Sequence, residues 1–202
     1  MLTIYRFPAL YQLAMRIGYG RDYAARYALI ADRIGCPTEV LEVCCGDLAL
    51  YRHLGDRGLL KSYLGVDLAP AMLRLAARRG ADVRAFDVRD GAPLPTAETV
   101  IIEASLYQFH DIADTLLPRL WAAARRLLVI AEPVRNLAHS RYGLARRVAR
   151  ILNRTTDGRI HTFRYTEATL LALCRRSKLP VSRLDRTPGG HEIIVYSLKA
   201  PG

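Results

Sequence analysis

The sequence predicts an α/β fold, a mostly parallel sheet with helices packed on its faces. Three observations predict it. Apolar runs of strand length alternate with helical stretches along most of the chain. The run V-L-E-V-C-C-G-D-L-A at Val40 to Ala49 reads as a buried strand that turns through a glycine into a helix. Two later runs, Y-L-G-V-D and V-R-A-F-D-V, carry Asp67 and Asp87 at the spacing of successive βα units. Alternation of this kind calls for right-handed crossovers between parallel neighbours.

The elements follow in order. Residues 2–34 read as one or two helices rich in tyrosine, with Tyr19, Tyr23 and Tyr27 spaced by four on one face; the rings either pack onto the sheet or cover a site. Strands are expected over 39–44, 62–66, 82–86, 99–103 and 127–131, with helices over 48–54, 70–79 and 112–124 between them. Pro70 stands at a helix start, where its missing N–H leaves no bond unmade. A helix over 166–177 precedes strands over 181–185 and 192–198, and the P-G-G turn between the strands makes them an antiparallel pair.

The 202 residues, 51% hydrophobic, suffice for one domain with a full core. Within it we expect an N-terminal helical cap over 1–35, a core over 36–135, a basic helical insertion over 136–164, and a C-terminal helix and strand pair over 165–202. No apolar run reaches membrane-spanning length and the start lacks the pattern of a secretion signal, so a cytoplasmic location is the expectation. The cysteines Cys36, Cys44, Cys45 and Cys174 form no C-x-x-C pair and stand at no zinc-ligand spacing, so no metal is expected.

Three acids at consecutive strand ends point to one ligand. Glu42 and the backbone around Gly46 would stand at the carboxyl edge of the sheet, where open α/β folds bind nucleotide-like molecules. A carboxylate past the second strand, Asp67, is placed to accept ribose hydroxyls, and one past the third, Asp87, to accept from an adenine amino group.

At these residues the chain resembles the class I S-adenosylmethionine-dependent methyltransferases, a Rossmann-like family with a seven-stranded sheet whose last strand is antiparallel. The family's first motif, acid-x-Gly-x-Gly-x-Gly, is matched by Glu42, Cys44, Gly46 and Leu48, so only the middle glycine is kept. Leu48 is expected to alter the approach of the helix to the sheet. The ordered set continues through V-I-I-E-A-S-L-Y-Q-F-H at Val100 to His110 and L-L-V-I-A-E-P at Leu127 to Pro133. The resemblance implies a three-layer Rossmann-like sandwich, S-adenosylmethionine as cofactor, and Glu42, Cys44, Gly46, Asp67, Leu68, Asp87, Val88 and Glu103 as the residues that hold it.

The resemblance also places the stretch after the fourth strand beside the transferring methyl group. Tyr107 is expected to line that site. His110 is a candidate base, since its ordinary pKa lies near neutrality, or else a capping or surface residue. Glu132, before Pro133, either orients an acceptor or pairs with Arg135.

The formal net charge is +11, the positive charge is nearly all arginine, and the one clear cluster of it runs from Arg135 to Arg164, where Leu144, Val148, Ile151 and Leu152 recur at helical spacing. This basic amphipathic pattern suits a lid over an anionic acceptor, a peripheral membrane contact, a nucleic-acid contact or a solvated helix face. The motifs of nucleic-acid methyltransferases are absent from E-A-S-L-Y, so a small-molecule or lipid-like acceptor, apolar or anionic, is preferred. The competing expectation is a non-catalytic methyltransferase-like protein that binds RNA, membrane or a protein through its arginines.

Overall fold

In the computed structural model, residues 13, 15–17, 20–134, 161 and 163–200 are described. Seven strands form one sheet in the order β3-β2-β1-β4-β5-β7-β6. They are β1 (Thr38–Val43), β2 (Leu60–Asp67), β3 (Val83–Ala85), β4 (Ala97–Glu103), β5 (Ala124–Pro133), β6 (Arg183–Arg186) and β7 (Glu192–Leu198). β7 is antiparallel to both β5 and β6, and the pairs among β1 to β5 are parallel. The α/β class, the mostly parallel seven-stranded sheet of a Rossmann-like sandwich and the reversed last strand are as expected.

The helices are α1 (Arg21–Ile34), α2 (Ala49–Asp56), α3 (Pro70–Arg78), α4 (Ala113–Ala123) and α5 (Glu167–Arg176). Strand alternation sorts the core into two layers. Ile101, Val129, Ile194 and Tyr196 face Tyr27, Ile30 and Ile34 of α1 and Leu50 and Leu54 of α2. Their sequence neighbours Val100, Ile102, Leu128, Ile130 and Val195 face Leu116, Leu117 and Leu120 of α4 and Leu170 and Leu173 of α5. Ile30 and Leu120 are fully buried, and each such side chain contributes roughly 1.5–3 kcal/mol.

Local signals set the boundaries. α1 stops at Gly35, whose left-handed φ of 68° lets its N–H reach the Ala31 carbonyl. α3 opens on Pro70, and α5 opens on a reciprocal pair in which the Thr166 and Thr169 side chains each bond the other's backbone N–H. The sheet needs Gly65 in β2: a Cβ there would stand 2.7 Å from Cys45 Sγ and 2.9 Å from Val83 Cγ2.

β5 differs from expectation. It begins at Ala124 and runs through Pro133, which pairs with Glu192, so Glu132 lies inside the strand rather than past its end. Proline is tolerated there as the strand's last residue. The basic helix expected over 136–164 falls outside the described residues except for His161, Phe163 and Arg164, as do Tyr19 and the earlier rings of the cap. Among the described residues no helix is long and apolar enough to cross a membrane, and no cluster of His, Cys, Asp and Glu is arranged to hold a metal ion.

Candidate active site

The strand order reverses direction between β1 and β4, and the crevice at their carboxyl ends is where such a fold admits a ligand. Register brings the candidate residues to this edge: Glu42 pairs with Gly65 and Ile101, Asp67 with Ala85, and Glu103 with Ala131.

The turn after β1 keeps a glycine-like path without the glycines. Cys44 has φ 60°, Gly46 50° and Leu48 62°, so two ordinary residues occupy left-handed conformations at the motif's first and third glycine positions. Each costs roughly 1–2 kcal/mol. The packing around Leu48 holds it there: the side chain is fully buried with Cys45, Ala76 and Ala81. Leu48 therefore fills the joint between the turn and α3 and becomes the residue on which α2 starts. Cys44 packs toward the α4 layer and Cys45 toward the Leu48 cluster, so the two adjacent thiols point in opposite directions.

Asp67 binds this turn directly. Its Oδ2 accepts the Gly46 N–H at 2.9 Å and its Oδ1 the Ala69 N–H at 2.7 Å, so one carboxylate fixes both the glycine turn and the start of α3. Leu68, next to it, is 51% exposed, an apolar side chain left at the crevice mouth. Asp87 Oδ1 accepts the Arg89 N–H at 2.8 Å and caps a short 3-10 turn over Val88–Asp90, in which Val88 is buried.

Behind the turn lies a group of buried acids. Glu42 is fully buried; its Oε2 accepts the Tyr63 hydroxyl at 2.6 Å, and its Oε1 has no partner. Burial, then the nearby Glu103, raises its carboxyl well above the ordinary range. Asp47 Oδ2 and Glu103 Oε2 are also buried without hydrogen-bond partners. Burial pushes Glu103 up to about 7, against the pull of Arg26.

Arg26 of α1 is the cation of this group and was missed by sequence reasoning. Its Nη1 donates to Glu192 Oε1 at 2.6 Å, its Nε stands 3.4 Å from Glu103 Oε2, and its guanidinium lies over the rings of Tyr27 and Tyr23. One turn earlier, Asp22 accepts from Thr187 Oγ1, Gly189 N–H and His191 N–H at 2.7–3.1 Å. Burial works against the Asp22 carboxylate, yet the Gly189, Thr187 and His191 donors hold it below the ordinary value. The available signal was an acid and a base four apart on the same side of α1 as Tyr23, Tyr27 and Ile30.

The catalytic candidates divide. Tyr107 is 6% exposed, beneath the Arg164 guanidinium at 3.8 Å from its ring centroid, and burial raises its hydroxyl pKa. His110 is exposed, stacks on Phe163 at 4.5 Å, and sets Nδ1 3.3 Å from the Tyr107 carbonyl. Glu132 requires a correction: it is fully buried, and its oxygens accept the N–H groups of Ser105, Leu106 and Tyr107 at 3.0, 2.6 and 3.3 Å. Its carboxylate faces backbone amides rather than an acceptor, which makes it a positioning residue for the turn that carries Tyr107.

No family model matches the chain. Trans-aconitate 2-methyltransferase of Mycolicibacterium gilvum is 34% identical over 90 residues, a stretch that covers 45% of this chain and 34% of that protein. The match thus spans about a third of the curated relative's length. Among solved structures, the DhpI-SAM-HEP complex is similar with a TM-score of 0.70 and 21% identity, covering 96% of this chain and 94% of that one. Magnesium protoporphyrin IX methyltransferase (ChlM) from Synechocystis PCC 6803 with bound SAH has a TM-score of 0.63 at 14% identity, with 93% of each chain covered. The sheet order, the reversed last strand and these likenesses give the chain the fold of the class I S-adenosylmethionine-dependent methyltransferases.

Proposed function

We propose that the chain is an S-adenosylmethionine-dependent methyltransferase that acts on a small-molecule acceptor. The observation that carries the reading is a set of buried carboxylate oxygens gathered behind a glycine turn: Glu42 Oε1 and Asp47 Oδ2 have no hydrogen-bond partner, and Glu103 Oε2 has only Arg26 Nε, at 3.4 Å. Buried acceptors of this kind demand a donor or a cation. S-adenosylmethionine brings an ammonium and a sulfonium, so the residues present fit it.

In this reading Glu42, Cys44, Gly46 and Glu103 hold the amino-acid end, Asp67 the ribose, and Leu68, Asp87 and Val88 the adenine. The chemistry supplied by the cofactor when bound is an activated methyl group. The chain's own part is alignment: Glu132 fixes the turn that sets Tyr107, and Tyr107 with Arg164 forms one wall beside the crevice. The name of the curated relative makes trans-aconitate the first acceptor to assay, with other small carboxylic acids and lipid-like acceptors after it.

Calorimetric titration with S-adenosylmethionine and its demethylated product tests the reading. Saturable binding that weakens about tenfold or more in Asp67→Ala is the expected result, since a hydrogen bond to a charged acceptor contributes roughly 1.5–3 kcal/mol. Equal affinity in parent and variant would overturn the site assignment. Binding without methyl transfer to any acceptor tried would favour the non-catalytic alternative.

A further inference from the structure

A second concavity among the described residues belongs to none of the crevice residues. Between α1 and α2 lies a groove of about 560 Å3, lined among others by Arg16, Tyr23, Tyr27, Arg52, His53 and Asp56. Neither Glu42, Gly46, Asp67, Asp87 nor Glu103 contributes to it. Its volume lies within the range of roughly 300–1,000 Å3 of small-molecule sites.

Its chemistry is aromatic and basic. Tyr23 and Tyr27, 7% and 5% exposed, meet edge to face with ring centroids 5.3 Å apart, and the His53 imidazole stands 6.1 Å from the Tyr27 ring. Ala24 and Ala49 also line the groove, and their small side chains leave the space beside these rings open. Two guanidiniums stand on its walls, Arg16 from the segment before α1 and Arg52 from α2, against the single acid Asp56. No ion pair joins Arg16 or Arg52 to a carboxylate among the described residues, whereas the neighbouring Arg57 is paired with Asp32 at 2.7 Å. Two cations on one concave surface focus a positive potential there, and the planar guanidinium fork matches a carboxylate.

We propose that this groove is a second ligand site that takes a small aromatic carboxylate, its ring against the His53 imidazole and the exposed edges of Tyr23 and Tyr27 and its anionic group held by Arg16 and Arg52. Shape and charge agree on this class. A cationic ligand would meet two like charges, and an aliphatic anion would leave the half-buried His53 ring and the exposed edges of Tyr23 and Tyr27 without an aromatic partner.

Benzoate is the probe, added to the full chain, with the ring resonances of His53 followed by NMR. Burial, then Arg57, lowers the His53 pKa, and an anion bound beside the ring raises it again. The expected result is a saturable shift of His53 and an upward move of its titration midpoint. Arg52→Glu should weaken benzoate about tenfold or more, and Ala24→Trp, which fills the groove from an exposed helical position and leaves every charged residue in place, should abolish the shift. Neutral benzamide should bind more weakly than benzoate. No saturable shift in the parent, undiminished binding in Arg52→Glu, or displacement of benzoate by S-adenosylhomocysteine would overturn the proposal. Displacement would assign the anion to the crevice instead, and failure to bind benzoate leaves the methyltransferase reading standing on its own titration.

Discussion

The carboxylate of Glu132, near the end of β5, accepts the backbone N–H of Leu106 at 2.6 Å and so ties the exit of β4 to its neighbour. Together with the Ser105 and Tyr107 amides this makes one fully buried side chain responsible for three donors that would otherwise be orphaned. Glu132→Gln keeps the shape but turns half the group into a donor facing N–H groups. A loss of about 1–3 kcal/mol is expected, read as a lower denaturant midpoint at unchanged m. A midpoint equal to the parent's would show that the turn stands without this carboxylate.

The glycine-poor turn predicts a stabilising change. Cys44 holds φ 60°, so Cys44→Gly relieves a strain of about 1 kcal/mol at the position where the resembled family has glycine, and chemical denaturation should show the gain. Leu48→Gly should do the reverse, although its φ of 62° is equally unfavourable. Its side chain is fully buried, and emptying that site costs about 2–5 kcal/mol, more than the relief. If both variants gain stability, the burial of Leu48 contributes less than its contacts imply.

The strand ends were legible in the sequence because each combines an apolar run with a polar stop: Asp67 and Asp87 emerged this way, and P-G-G marked the β6–β7 reversal. Glu132 was misread because its partners are backbone amides, which carry no side-chain signature, and because an acid before a proline looks like a strand exit. Arg26 and Glu192 are 166 residues apart and meet only once the reversed β7 is laid beside β5. Leu48 was expected to alter the approach of the helix to the sheet; the small residues Ala76 and Ala81 that pack with its side chain carry no signal of that contact in the sequence.

The Arg26 hub predicts a large and conditional penalty. Arg26→Ala leaves Glu192 and Glu103 buried with no cation beside them, which should destabilise by about 3–5 kcal/mol. Arg26→Met combined with Glu192→Gln removes both charges of that pair, leaving only Glu103 without its cation, and should recover part of that loss. Thermal unfolding of the single and double variants distinguishes the cases. Additive losses would mean that the pair is not coupled.

Glu103 gives a pH dependence whose sign follows from its environment. Its folded pKa of about 7 lies above the ordinary 4.5, so the folded state binds a proton more tightly than the unfolded one. Its contribution to stability therefore falls as pH rises from about 4.5 to about 7, with the whole penalty present above that range. Glu103→Gln should flatten the fall, measured as urea midpoints across this interval. Affinity for a cationic cofactor should move the opposite way, rising as pH passes about 7 and Glu103 ionises, because the ligand's positive charge favours the carboxylate. A calorimetric affinity that stays flat between pH 6 and 8 in the parent would place Glu103 away from the ligand's charge.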